Sequence, residues 1–254
     1  MLKIKIQSKS FMMQKELIAI LKKTKEFLSV KLKAYDEKLP YIVTSLIFAI
    51  IVIGGIRLFI ELIESLKSDY LANYDNTISN FFTNLRSPWL TSFFKFITNL
   101  GDSIGYAIVF GLSTLFFYLK FKNWKYVAQI VLVMVLALGS NLLLKKTINR
   151  ARPVAEHLVT VKTLSFPSGH ATMAMAFYGF LIYLVFTFSM NIYLKITFIS
   201  ILTFIILSIG ISRIYLGVHF PSDVAGGFIA GFIWVIFCVM IFNLIKIFKR
   251  DSAT

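Results

Sequence analysis

The segment SRIYLGVHFPSD, Ser212 to Asp223, places three ionisable residues, Arg213, His219 and Asp223, between two long apolar runs. Charge at the end of a hydrophobic segment is costly and is usually kept for a function. Because His219 and Asp223 are four residues apart, the start of a helical turn would bring their side chains together. A carboxylate there would fix the imidazole tautomer and leave the other ring nitrogen free to attack an electrophile.

A second basic segment, KKTINRARP (Lys145 to Pro153), suits the binding of a phosphate dianion. Guanidinium groups form paired hydrogen bonds with phosphate oxygens, so Arg152 and Arg213 could clamp a phosphate, with Lys145 as a point charge. These cations lie on the side of the membrane where the topology rule predicts few basic residues. We therefore expect a role for them other than topology.

The tetrapeptide PSGH, Pro167 to His170, leads directly into the apolar run ATMAMAFYGF. A helix that begins there would present free N–H groups and a positive dipole end to an anion. Gly169 would let the backbone approach closely, and the hydroxyl of Ser168 would add a donor. An ordinary capped helix start has the same pattern.

Taken in order, the three segments resemble the signature motifs of the type-2 phosphatidic-acid phosphatase superfamily, K-x6-RP, PSGH and SR-x5-H-x3-D. The first spacing selects Lys145 rather than Lys146, because six residues separate Lys145 from Arg152. The similarity covers roughly residues 80–245, and the motifs contain no departure from the pattern.

The resemblance implies a role for each motif residue. His219 would be the nucleophile that takes the phosphoryl group, and Asp223 would orient it. His170 would protonate the departing lipid oxygen and later activate water. The phosphate-binding residues would be Lys145, Arg152, Ser168, Gly169 and Arg213.

The sequence predicts no metal and no cofactor. From Ser103 to Arg250 the only carboxylates are Glu156 and Asp223, so the expected site has a single aspartate, too few oxygen ligands for Mg²⁺ or Ca²⁺. Zinc bound by His170, His219 and Asp223 is an alternative that the nearby cations oppose. Glu156 and His157 fit no motif and are expected at the lip of the site.

The fold class predicted from composition is an all-α polytopic membrane protein. The chain of 254 residues is 57% hydrophobic, and its apolar runs give six spans of roughly 20 residues. They are Tyr41–Leu62, Ser103–Lys120, Tyr126–Leu144, Ala171–Phe188, Ile192–Ile211 and Val224–Ile245. Residues 1–40 form a basic cytoplasmic or interfacial segment, and residues 41–248 form the six-span domain.

Basic residues set the predicted orientation. The lysine-rich N-terminus, the KFKNWK turn (Lys120 to Lys125) and the basic C-terminus fall on one side, so both termini are expected in the cytoplasm of a bacterial cell. The motifs then face the periplasm or the outside. Interfacial helices are expected on that side, where NFFTNLRSPWLTSFFKF has closely spaced aromatic residues.

The expected activity is that of a lipid-phosphate phosphatase. Superfamily members of compact six-span form act on phosphatidylglycerol phosphate, phosphatidate, undecaprenyl pyrophosphate or lipid A, and the motifs do not separate these substrates or set the oligomeric state. A transporter or an anionic-lipid-binding scaffold is the alternative. The formal charge of +15 lies mostly beside apolar spans, which favours anionic lipid over nucleic acid as partner.

The predicted orientation can be tested with single cysteines, because Cys238, the one native cysteine, lies within a predicted span. A cysteine at Glu156 should react with a membrane-impermeant maleimide added to intact cells or spheroplasts. A cysteine at Asn123 should react only after lysis. The reverse pattern would place the motifs in the cytoplasm.

Overall fold

The computed structural model describes residues 22–24, 26, 39–154, 156–161 and 163–251. Regular secondary structure in this described part of the chain is entirely α-helical beyond residue 38. The helices are α1 (Leu39–Ser65), α2 (Asp69–Asn84), α3 (Pro88–Asn99), α4 (Ser103–Phe121), α5 (Lys125–Ile148), α6 (Gly169–Thr187), α7 (Ile192–Tyr215) and α8 (Pro221–Asp251).

Six of these helices, α1 and α4 to α8, are long and apolar enough to cross a membrane. The predicted all-α, six-span fold is therefore confirmed, and the predicted spans agree with the helices to within a few residues. Most of the predicted basic segment 1–40 lies outside the described residues. The domain boundary at residue 40 stays a prediction.

The chain divides into two compact units, and one of them, Phe48–Met240, contains every residue of the site described below. The described part of the other unit includes the helix ends 39–47 and 241–251.

Helix α6 is the central helix of the Phe48–Met240 unit. Over its most apolar window 56% of the residues are buried, against at most 33% for the other candidate spans. It packs against α5 and α7. A helix that is apolar all round suits this position, because it has no polar face to turn outward. Its N-terminus, which bears the PSGH motif, is thus fixed by the packing of its neighbours.

Helix α8 approaches α6 through two glycines one turn apart. A Cβ on Gly227 would lie 2.7 Å from the carbonyl oxygen of Ser168, and one on Gly231 would lie 2.5 Å from that of Thr172. Small residues at such positions let two membrane helices come close along their backbones. This contact positions Asp223, in the first turn of α8, beside the start of α6.

The segment that joins the first two spans forms two short helices rather than one. Ser87 caps α3 by accepting a hydrogen bond from the amide of Leu90, and Pro88 occupies the first helical position, so the aromatic stretch breaks after α2. Both helices pack against α7. The hydroxyl of Tyr215 fixes the break, since it accepts from the amide of Ser87 at 3.1 Å and lies 2.9 Å from the hydroxyl of Thr91.

The close contact between α6 and α8 yields a stability prediction. Gly231→Ala should lower the stability of the detergent-solubilised protein by about 1–3 kcal/mol, because its methyl group would overlap the backbone of α6. The matched control is Gly111→Ala in α4, where no atom lies within 4 Å of the new Cβ. That variant should be neutral or more stable by about 0.5–1 kcal/mol. Thermal unfolding measures both, and equal shifts would contradict the proposed packing.

Candidate active site

A polar cavity of about 200 Å³ opens where α5, α6 and α7 meet the loop of residues 149–168. Two of the eight predicted site residues, Ser168 and Asp223, are fully buried and do not line it. The other six do: Lys145, Arg152, Gly169, His170, Arg213 and His219. The three motifs, which are far apart in the sequence, therefore meet in one place.

Lys145 lies in the last turn of α5 and is 8% exposed. Its ammonium group donates to the main-chain carbonyls of Leu164 and Ser165, the latter at 3.4 Å. The helix ends just beyond it because Asn149 takes the left-handed conformation (φ +51°), and the amide of Asn149 donates a hydrogen bond to the carbonyl of Lys145.

Arg152, in the loop after α5, connects this loop to the third motif. Its Nη1 donates to the carbonyl of Val218 at 2.5 Å and lies 3.3 Å from Nε2 of His219. Its Nε donates to the carbonyl of Thr163 at 2.6 Å. Burial lowers the pKa of Arg152, but a guanidinium remains charged in a protein.

Arg213 is 4% exposed and lies in the last turn of α7. Its Nη1 donates to the hydroxyl of Thr98 at 2.7 Å, and its Nε has no hydrogen-bond partner among the described residues. Like Lys145 and Arg152, Arg213 forms no ion pair with a carboxylate in the described part of the chain. Three cations beside the cavity are thus held by neutral oxygens, and one carboxylate, Asp102, lines the cavity with them.

The second motif forms the start of α6. Ser168 is the N-cap, and its hydroxyl oxygen accepts from the amide of Ala171 at 3.5 Å. The preceding carbonyl, that of Pro167, accepts from Nδ2 of Asn141 at 3.2 Å. Gly169 faces the same asparagine, because a Cβ there would lie 3.3 Å from Oδ1. The first amides of the helix therefore lie at the cavity wall, where an anion would be stabilised.

In the third motif, a turn after α7 presents His219. Gly217 makes the turn with φ +76°, and a Cβ there would lie 2.6 Å from the carbonyl oxygen of Glu156, so only glycine fits without strain. Helix α8 then begins with Pro221 at its first position. Asp223 accepts a hydrogen bond from the amide of Phe220 at 2.8 Å, as the acidic residue of a capping box does.

His219 and Asp223 form a buried pair. Nδ1 of His219 lies 3.5 Å from Oδ2 of Asp223, and Ser165 donates to the same carboxylate oxygen at 2.5 Å. Burial lowers the pKa of His219 to about 3, although its contact with Asp223 acts in the opposite direction. The imidazole is therefore neutral at physiological pH, as a nucleophilic histidine must be.

Asp102 is a second carboxylate in the site, and it was not among the predicted site residues because it lies outside the three motifs. Its Oδ1 lies 2.9 Å from Nε2 of His170, and it lines the cavity. This contact lowers the pKa of Asp102. Apart from this close contact, Nε2 has no hydrogen-bond partner among the described residues.

A third carboxylate, Asp75 of α2, lies behind the histidine pair. It pairs with Arg150 at 2.8 Å, and Arg150 in turn pairs with Asp223 at 2.6 Å. The prediction of a site with a single aspartate is therefore wrong. Asp75 and Asp102 precede the motifs in the sequence, and no local pattern marks them. Arg150 is one of the basic residues that oppose the topology rule, and the motif pattern assigns it no role.

Glu156 and His157 do not line the cavity. Nε2 of His157 lies 2.9 Å from the carbonyl oxygen of Pro153, within its own loop. Glu156 is exposed, and its carboxylate lies 3.7 Å from Arg86. Both residues contact neighbouring groups outside the cavity, and their expected position at its lip stays a prediction.

An apolar groove of about 530 Å³ adjoins the polar cavity. It runs between α4, α5 and α6, and its wall shares Asp102, Gly169 and His170 with the cavity. The rest of the wall is almost wholly apolar and includes Tyr106, Ala107, Phe110, Val131, Val135, Leu138 and Met173. A molecule with a phosphate end and a hydrocarbon end could therefore occupy both spaces at once.

Comparisons with known proteins agree with this geometry. Residues 126–246 match the family model of the PAP2 superfamily. The chain is 33% identical over 201 residues to phosphatidylglycerophosphatase B of Bacillus subtilis. The alignment covers 76% of this chain and 91% of that protein.

Two solved structures share the fold at 28% identity. One is a transmembrane PAP2-type phosphatidylglycerolphosphate phosphatase from Bacillus subtilis, with a TM-score of 0.68 over 79% of this chain and 96% of that one. The other is Aquifex aeolicus LpxE, with a TM-score of 0.52 over 64% and 93%. From the family model and the extent of these similarities it follows that the chain is a multi-pass membrane protein belonging to the PAP2 superfamily.

Proposed function

We propose that this protein is a metal-independent lipid phosphatase that hydrolyses a phosphomonoester or diphosphate of a membrane lipid through a phosphohistidine. The observation that supports it best is the charge pattern of the cavity: Lys145, Arg152 and Arg213 have only neutral partners, beside two histidines. A phosphate dianion would balance these cations, and guanidinium groups are well suited to hold it.

In the first step Nε2 of His219 attacks phosphorus. The N–P bond forms as the bond from phosphorus to the lipid oxygen breaks, and His170 donates a proton to that oxygen. Asp223, on the Nδ1 side of His219, stabilises the positive charge that the ring acquires. Arg152, 3.3 Å from Nε2, is close enough to balance charge on the transferred group.

In the second step His170 accepts a proton from a water molecule whose oxygen attacks the phosphorus. The N–P bond breaks, inorganic phosphate leaves, and His219 returns to its neutral form. Asp102 is placed to pair with the protonated form of His170, which donates in the first step and is restored by the second. One residue thus acts as acid and then as base, as microscopic reversibility allows.

The substrate class follows from the two adjoining spaces. The polar cavity offers cations to a phosphate or diphosphate group, whereas the groove offers an apolar surface to an acyl or prenyl chain. The similar proteins include a phosphatidylglycerolphosphate phosphatase, so phosphatidylglycerol phosphate is one candidate substrate. Phosphatidate, undecaprenyl pyrophosphate and lipid A type phosphates are others that meet the same requirement. On this proposal the lipid enters laterally from the leaflet on the side of the site.

The lipid phosphatase proposal is tested first at the nucleophile. His219→Ala should abolish phosphate release from lipid phosphates by the purified protein, and Asp223→Asn should lower kcat by several orders of magnitude, as for a triad aspartate. His157→Ala is the matched control, since His157 does not line the cavity and its hydrogen bond is to Pro153 of its own loop, and it should keep wild-type activity. Activity in the His219 variant would disprove the proposed chemistry.

These assays also test metal independence when EDTA is present. Activity should be unchanged, because the charged side chains at the cavity are mainly cations, and these repel a metal ion. Vanadate, which resembles the pentacoordinate phosphoryl group, should inhibit. Activity lost in EDTA and restored by Mg²⁺ or Zn²⁺ would overturn this part of the proposal.

The groove gives a separate prediction about the lipid tail. Ala107→Trp should fill part of the groove and raise KM for a long-chain lipid phosphate several-fold, with little change in hydrolysis of the soluble substrate p-nitrophenyl phosphate. Ile108→Trp is the matched control, because the neighbouring side chain is exposed and does not line the groove. Equal effects of both variants would argue against tail binding in this groove.

A further inference from the structure

Arg150 is a cation of the first motif segment that does not line the cavity. Its Nη1 donates to Oδ1 of Asp223 at 2.6 Å and to the hydroxyl of Ser222 at 2.7 Å, and its Nη2 donates to Asp75 at 2.8 Å. Its guanidinium carbon lies 4.4 Å from the ring centre of Phe220. Both ends of the guanidinium fork are therefore held, and the plane of the group is covered by an aromatic ring.

Asp75 completes this arrangement from α2, a helix that contains none of the family motifs. Its side chain is 2% exposed, although α2 is otherwise mostly solvent- or lipid-accessible. Oδ1 accepts from the amide of Ser222 at 2.9 Å, and Oδ2 accepts from its hydroxyl at 2.5 Å. A buried carboxylate with this many donors is held in one orientation, and it holds both Arg150 and the first turn of α8.

We propose that Asp75 and Arg150 are positioning residues for the reaction, acting on His219 through Asp223. This inference rests on the proposed role of His219 as nucleophile. The carboxylate of Asp223 uses Oδ2 for His219, Ser165 and the amide of Phe220, while Arg150 holds Oδ1. Arg150 thereby stops the carboxylate from turning away from the imidazole, and the tautomer with Nε2 free is kept.

Charge explains why the arginine needs a second carboxylate. Arg150 alone would neutralise Asp223, and a neutral pair would stabilise the positive ring of a phosphorylated His219 poorly. With Asp75 on its other side, Arg150 is shared by two carboxylates, so the cluster retains one net negative charge beside the imidazole. In a buried site that charge acts strongly over a few ångströms.

The test compares Asp75→Asn and Arg150→Lys with the wild type, using the full-length protein in detergent and a long-chain lipid phosphate. Asparagine keeps the shape of Asp75 without its charge, and lysine keeps the charge of Arg150 without the fork. Both should lower kcat by about 10- to 100-fold. This is the range observed when a hydrogen-bond partner that orients a metal-bound histidine is removed. KM and the inhibition constant of inorganic phosphate should stay within about twofold, because the cavity cations are untouched.

Two controls each remove an exposed charge of the same sign nearby. They are Asp69→Asn on α2 and Lys146→Gln, at a position of the first motif segment that the motif leaves unspecified. Both should keep the wild-type kcat. Wild-type kcat in Asp75→Asn would overturn the inference. So would a parallel loss of kcat, phosphate affinity and thermal stability in both variants, because that pattern indicates a merely structural role. If instead the wild type released no phosphate from lipid phosphates, the proposed function would fail rather than this inference alone.

Discussion

The buried carboxylate of Asp223 is the constraint on which the rest of the site depends. It is fully buried, and a charge there is tolerated only if it is paired and hydrogen-bonded. Its side chain is held by Arg150 of the first motif segment and by Ser165, just before the second, and its main-chain carbonyl accepts from the amide of Ser168. The three motifs are thus joined at one residue, and the approach of α8 to α6 through glycine is what brings that residue to them.

The cations of the first and third motifs divide into two groups by their partners. Arg150 is paired with two carboxylates, so its positive charge is neutralised within the protein. Lys145, Arg152 and Arg213 are hydrogen-bonded to carbonyl or hydroxyl oxygens, which hold the side chains in place without cancelling their charge. On the proposed mechanism, this division separates a cluster that orients the nucleophile from a cluster that binds the phosphate. Two arginines of one basic segment, Arg150 and Arg152, are only two positions apart and fall in different groups.

The sequence predicted the six spans and the meeting of the motifs, since hydropathy sets the length of a membrane helix and alternate spans return the motifs to one end. It did not predict Asp75, Asp102 or Thr98. These residues lie in the segment between the first two spans. No motif and no hydrophobic periodicity in that segment indicates which of its polar residues are buried. Asp102 directly precedes α4, so its sequence position indicates only a helix N-cap. Its contact with His170 becomes visible only when α4 is packed near α6. Side-chain partners across distant segments are a property of the packed helices.

On the proposed function, the selectivity for lipid phosphates comes from the membrane location of the site. A soluble phosphate ester could satisfy the cations of the cavity, but it would leave the adjoining groove, with its apolar wall, without a partner. A lipid phosphate meets both requirements, and the tail gains little by leaving the bilayer for the groove because both are apolar. On the proposed function the cations of the cavity hold the phosphate, while the groove sets the depth and direction from which the phosphate arrives at His219. Recognition of the phosphate by charge and of the tail by shape can then vary independently among proteins with the same motifs.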